Sequence, residues 1–216
     1  MPRLITFGCS YTYGHGLPDC ADGNDAGPNP SNFAWPSILA DKMNLSLVNV
    51  SKPGSGNTEI LWRILNFEFK HDDICIIMWS YFVRAEYYRY LYDSLDGVRL
   101  TENVATLFDE EPMFTQNNTI KNLLAMSHAA YHLELNKIKS YAYVAPIRAN
   151  KSVVFPWEEE FTIPECIKIN NLDTSFVMFQ HCIDKALDKM HPGILSHQRI
   201  AEELYKKINE LTNVIY

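Results

Sequence analysis

Two short stretches at opposite ends of the chain carry the residues best suited to covalent chemistry. The first, Leu4-Ile5-Thr6-Phe7-Gly8-Cys9-Ser10-Tyr11-Thr12-Tyr13-Gly14, is an apolar run halted by Gly-Cys-Ser. It reads as a buried strand whose carboxyl end delivers a hydroxyl into a glycine-flanked turn, the way an α/β enzyme presents a nucleophilic serine. Gly8 lets the backbone leave the strand sharply, and a helix following Ser10 would turn free N–H groups toward an anion forming beside the hydroxyl. The second stretch, Asp188-Lys189-Met190-His191-Pro192-Gly193, spaces a carboxylate three residues from an imidazole. Within one turn that carboxylate can fix the tautomer of His191 and stabilise the imidazolium once the other nitrogen takes a proton. Ser10, His191 and Asp188 thus read as nucleophile, general base and orienting acid. Taken singly, each half also fits a plainer role: a capping serine at a strand exit, and an Asp-x-x-His on a surface turn.

Other reactive side chains fit structural roles better. Cys9 is an alternative nucleophile, but adjacent residues at a turn point in different directions. Cys9, Cys20, Cys75, Cys166 and Cys182 are scattered without a C-x-x-C pair. With an amino terminus that enters a strand and not a signal peptide, this argues for reduced thiols and against a disulfide framework or a zinc site. His15 reads as a loop histidine and His197 as a helix-capping one. His128 and His132 have metal-pair spacing on a helix but lack a third ligand, and read as a solvated face. Glu158 to Glu160 form a surface charge run. The expectation is no metal and no cofactor.

The elements that must position these residues alternate strand and helix. That alternation predicts an α/β fold: a flavodoxin-like doubly wound parallel sheet of about five strands with helices on both faces. One domain spans 1–216, with loop insertions near 13–32, 93–116 and 147–172. After the first strand, Trp35 to Met43 begins a helix with Pro36 suited to its first position. Ser46 to Val50 is the second strand and delivers a glycine loop at 54–57. A helix runs from about Thr58 to Phe69, and Ile74 to Trp79 is a central strand. Tyr81 to Tyr92 holds five tyrosines; it reads as helix packing in preference to an aromatic platform for a sugar-like ligand. A helix over Ile120 to Leu135, a fourth strand over Ser140 to Pro146, and a helix to about Leu187 complete the order. Three strand ends then gather Ser10, Gly54, and Ser80 or Arg84 on the edge where open α/β sheets bind ligands.

Composition narrows the function classes. With 216 residues, 47% hydrophobic and 21% charged, the chain can bury a sizeable core and is neither disordered nor a coiled coil. A net charge of −7 supplies no electrostatic footprint for nucleic acid or an anionic membrane. No apolar run reaches the length of a membrane span. A cytoplasmic protein is expected, in the host cytoplasm if the source is viral, and the oligomeric state stays open.

Gly8-Cys9-Ser10-Tyr11-Thr12 resembles the first sequence block of the SGNH, or GDSL-type, hydrolases, with Cys9 where their Asp usually stands. Asn49-Val50-Ser51-Lys52-Pro53-Gly54-Ser55-Gly56-Asn57 resembles the second block, and Asp188 to His191 the fifth. The resemblance covers nearly the whole chain and is closest to the short G-C-S-[FY]-T-x-G members found in bacteria and tailed phages. It implies a serine esterase or deacetylase in which the N–H groups of Ser10 and Gly54 hold the oxyanion. One block departs: where Gly-x-Asn-Asp should follow the third strand, the chain reads Trp79-Ser80-Tyr81-Phe82-Val83-Arg84-Ala85-Glu86. Losing an oxyanion donor typically costs roughly 10²–10³ in rate. Ser80, Arg84 or, in part, Asn57 could supply the missing donor, backbone N–H groups could suffice, or activity could be lost. The polar loop at 13–32 and the lack of a lipase-like lid favour a small acyl ester such as acetyl, on a small molecule or a carbohydrate. The alternatives are a non-catalytic glycan-binding or structural protein, and an O-acyltransferase.

Overall fold

The computed structural model describes residues 2–22, 25–80, 86–91, 94–99, 112–144 and 172–213. Arg84, Glu158 to Glu160, Cys166 and nearly all of the expected excursion at 147–172 lie outside the described residues. Among those described, five strands form one sheet: β1 (Arg3–Phe7), β4 (Ser46–Asn49), β5 (Ile74–Trp79), β8 (Lys139–Val144) and β9 (Leu172–Val177). Their order is β4-β1-β5-β8-β9, all parallel. Counted along the chain this is 2-1-3-4-5, the flavodoxin-like order, whose switch point lies at β1 and β5. The expected fold class is the observed one.

Side-chain alternation along these strands feeds two cores. Leu4, Ile76, Met78, Tyr141 and Tyr143 pack on one face against α2 (Trp35–Met43) and α5 (Ile194–Asn213), whose Trp35, Leu39, Ile200, Leu204 and Ile208 are buried. Ile5, Phe7, Cys75, Ile77, Trp79 and Ala142 pack on the other against α3 (Asn57–Leu65) and α4 (Pro112–Leu135). Two-sided burial explains why β1 and β5 are almost uninterrupted apolar runs. At the amino ends, buried Asp73 receives two hydrogen bonds from Arg3, at 2.8 and 2.6 Å, beside the Leu4–Ile74 pair that starts the ladder.

Three local readings are corrected. The segment expected as a helix to about Leu187 opens with β9, then a 3₁₀ turn over Met178–His181, and no helix follows until α5. Thr174 and Val177 are β-branched, and as a strand the segment sets Phe176 on Tyr143, ring centroids 5.2 Å apart, while adding a row to the sheet. The described part of the tyrosine-rich segment is strand, not helix: β6 (Glu86–Leu91) pairs antiparallel with β7 (Ser94–Arg99), in keeping with the strand preference of aromatic residues. Helix α4 begins at Pro112, inside the stretch read as an insertion. The loop after β1 also holds a small hairpin of β2 (Ala21–Asp22) and β3 (Asp25–Ala26). Among the described residues, no helix is long and apolar enough to cross a membrane.

Candidate active site

The turn after β1 is built by side-chain absence. A Cβ on Gly8 would lie 2.1 Å from Thr12 Oγ1, so only glycine lets the following turn fold back this tightly. Cys9 is fully buried, with its carbonyl accepting the N–H groups of Thr12 and Tyr13 at 3.0 Å each. Ser10 opens the four-residue helix α1 (Ser10–Tyr13), where its own N–H has no intrahelical acceptor. Gly14 ends that helix in the left-handed region. The structure therefore buries the thiol and points the neighbouring hydroxyl elsewhere.

The second half is a turn that closes on itself. Asp184 caps α5, accepting hydrogen bonds from Leu195 N–H (3.1 Å), Ser196 N–H (2.8 Å) and Ser196 Oγ (2.5 Å). Burial pushes the Asp184 carboxyl up, but these hydrogen bonds outweigh it and hold the group below its ordinary range. Gly193 N–H donates to Asp184 O, and Ala186 N–H to His191 O. Between these ties Asp188 and His191 project from one turn.

The two halves meet at Ser10. His191 Nε2 lies 3.0 Å from Ser10 Oγ, and His191 Nδ1 lies 2.5 Å from Asp188 Oδ2. The other carboxylate oxygen, Asp188 Oδ1, accepts the backbone N–H groups of Met190 (2.9 Å) and His191 (3.0 Å). Burial alone would raise the Asp188 pKa; the N–H groups of His191 and Met190, with the His191 side chain, hold it below the usual carboxylate range. Asp188 is thus an anion in place, acceptor to an imidazole whose far nitrogen faces a hydroxyl. That chain can move a proton from Ser10 to His191.

The loop after β4 is sewn to the Ser10 turn. Lys52 N–H donates to Gly8 O at 3.2 Å, and Asn49 Nδ2 to Thr12 O at 3.0 Å. Gly54 follows with φ 76°, in the left-handed region. Ser80 is the first residue after β5. Its hydroxyl is buried and unpartnered. Asn57 holds Ser80 from both sides: its Oδ1 accepts Ser80 N–H at 2.7 Å and its Nδ2 donates to Ser80 O at 3.3 Å. The same Nδ2 donates to Asn122 Oδ1 at 2.7 Å, so both amide hydrogens are engaged. Asn57 therefore has no donor left for an oxyanion.

Sequence reasoning undervalued several neighbours. His15 packs its ring 4.7 Å from that of His191, with Nε2 3.9 Å from Asp188 Oδ2. A Cβ on Gly16, φ 83°, would sit 2.7 Å from the Asp188 carboxylate, while Gly16 O accepts Leu187 N–H at 3.0 Å. The pattern Gly14-His15-Gly16 was the available signal: a histidine between two glycines beside the Ser10 turn. The Tyr11 ring lies 5.1 Å from that of His191. His197 caps a helix, but not its own: its Nδ1 accepts Trp35 N–H at 3.0 Å at the start of α2, and the ring is fully buried. His128, as expected, is on an exposed face.

No protein-family model and no curated protein sequence matches the chain. Solved structures do. A protein of Desulfitobacterium hafniense DCB-2 assigned to the G-D-S-L lipolytic family aligns with TM-score 0.51 at 14% identity, covering 94% of this chain and 98% of that one. The psychrotrophic esterase EstA of Pseudoalteromonas, solved inhibited by monoethylphosphonate, aligns at 0.56 and 14%, covering 98% of each. Est24, a carbohydrate acetylesterase of Sinorhizobium meliloti, aligns at 0.54 and 14%, covering 98% of this chain and 100% of that one. At these identities the likeness is one of fold, and the fold is that of the SGNH hydrolases.

Proposed function

We propose that the chain is a serine esterase of the SGNH, or GDSL, type, hydrolysing a small acyl ester through Ser10, His191 and Asp188. The observation that carries this reading is the unbroken path from Ser10 Oγ through both nitrogens of His191 to Asp188, at 3.0 and 2.5 Å. Ser10 Oγ attacks the ester carbonyl as His191 Nε2 takes its proton, and Asp188 steadies the resulting imidazolium. The oxyanion is held by the N–H groups of Ser10 and Gly54. The imidazolium then protonates the departing alcohol, and water, deprotonated by the same nitrogen, releases the acid and restores Ser10.

For the donor that replaces the missing asparagine we favour Ser80. Its hydroxyl is buried without a partner, and the Asn57 clamp fixes its backbone. Arg84 remains the competing candidate. Similarity of fold to carbohydrate acetylesterases agrees with an acetyl-sized acyl group and a sugar-borne ester.

Incubation with a fluorophosphonate followed by peptide mass spectrometry tests the nucleophile. A single adduct on Ser10, absent from Ser10→Ala, is expected; no adduct on folded protein at high probe concentration would overturn the reading. A panel of p-nitrophenyl esters tests the acyl group, with acetate expected to be hydrolysed fastest and a preference for long chains counting against it. Equal background rates for wild type and Ser10→Ala would instead favour a non-catalytic binding protein.

A further inference from the structure

A serine hydrolase needs one imidazole on its acid, and here two converge. One ligand atom each from His15, Asp188 and His191 lie within 4.8 Å of one another. The His15 Nε2 to Asp188 Oδ2 distance is 3.9 Å. Around a tetrahedral zinc, with bonds of about 2.0–2.2 Å, ligand atoms stand roughly 3.3 Å apart, so His15 must draw in toward Asp188 while His191 gives up either its 2.5 Å hydrogen bond to Asp188 or its contact with Ser10. The three side chains are 16 to 20% exposed, open enough to admit one. His15 makes no hydrogen bond through its buried Nδ1. Two imidazoles and a carboxylate are a donor set that holds zinc with a free coordination site.

We propose that His15, Asp188 and His191 form an inhibitory zinc site superposed on the catalytic apparatus, His15 supplying the ligand that the hydrolytic chemistry does not require. Its regulatory meaning rests on the esterase reading; the binding itself does not. Zinc on His191 Nε2 occupies the lone pair that takes the Ser10 proton. Zinc on Nδ1 displaces the Asp188 hydrogen bond and leaves the remaining ring proton on Nε2, which again removes the base. Either coordination switches hydrolysis off, and a chelator switches it on.

Calorimetric titration of the full chain with zinc chloride, beside p-nitrophenyl acetate hydrolysis in the same buffer, tests the site. One zinc per chain is expected, with hydrolysis falling in step with occupancy and returning on addition of EDTA. His15→Gln should weaken binding at least about tenfold, given that even outer-sphere partners of metal ligands are worth 10–100-fold in affinity. The exposed His71→Gln should change nothing. Should His15→Gln fail to fold, His15→Asn replaces it, and visible absorption of the cobalt(II)-loaded wild type reports the coordination without any variant. Zinc affinity unchanged by loss of His15, no binding at large zinc excess, or a bound zinc that leaves hydrolysis intact would each overturn the proposal. Zinc binding that depends on His15 in a protein with no esterase activity would sink the hydrolase reading alone.

Discussion

The carboxylate of Asp188 is aimed by contacts on three sides: two backbone N–H groups from its own turn, the His191 ring, and Gly16 beneath it. Gly16 is the most exacting of these. An alanine there would carry the left-handed backbone penalty of about 1–2 kcal/mol and drive its methyl into the carboxylate. Gly16→Ala is therefore expected to lower kcat by roughly 10²-fold, the scale of a misplacement near 1 Å, with a smaller fall in thermal stability. Steady-state kinetics beside a melting curve check this, and a wild-type kcat would show that Gly16 does not set the carboxylate. On the opposite flank, Ser80→Ala should reduce kcat by roughly 10²–10³ with KM nearly unchanged, since an oxyanion contact is made chiefly in the transition state. If Arg84→Lys shows that pattern and Ser80→Ala does not, the donor is the arginine.

Asn57 stands where α3 begins and acts on two other elements, the end of β5 and, through Asn122, helix α4. Its amide reproduces for Ser80 the pairing that a further strand would give. Asn57→Ala strands the buried N–H and the buried carbonyl of Ser80, each worth about 1–3 kcal/mol when left unsatisfied. An urea titration should show a loss of several kcal/mol in total, more than Asn122→Ala causes; an effect below about 1 kcal/mol would deny the clamp. Glycine loops, apolar strands and the spacing of Asp188 and His191 were legible in the sequence because each is a local pattern with a local cause. The role of Asn57 was not, because its partners lie 23 and 65 residues away and nothing near it marks them. For the same reason β9 reads as helix: six residues of mixed polarity become a strand only against the exposed edge of β8. His15 was discounted because its neighbour, the Asp188 turn, arrives from the far end of the chain.

Across the whole molecule, a buried ring adds a polar tie to the apolar packing that joins the helices over one sheet face. His197, on α5, accepts the first N–H of α2, and burial lowers its pKa from 6.5 to about 4, the Asp184 carboxylate opposing and His191 assisting. In the unfolded chain this imidazole takes a proton near pH 6.5, while in the folded protein it stays neutral down to about 4. Between those values the unfolded state binds more protons, so stability falls as pH falls through that window, by roughly 3 kcal/mol in all. His181, lowered chiefly by burial, adds a slope of the same sign. The carboxylates act below the window: Asp73, Asp184 and Asp188 are raised by burial but lowered further by their hydrogen bonds. Each contributes stability that is present above its ordinary value near 4 and lost as pH drops through the folded one. Denaturant midpoints measured from pH 7 downward should therefore decline in two stages, one set by histidine and one by aspartate. His197→Gln, whose amide oxygen can still accept the Trp35 N–H, should flatten the upper stage and leave the lower one in place. A variant with the wild-type slope between pH 6.5 and 4 would mean that His197 does not stay neutral in the fold over that range, and that another group sets the upper stage.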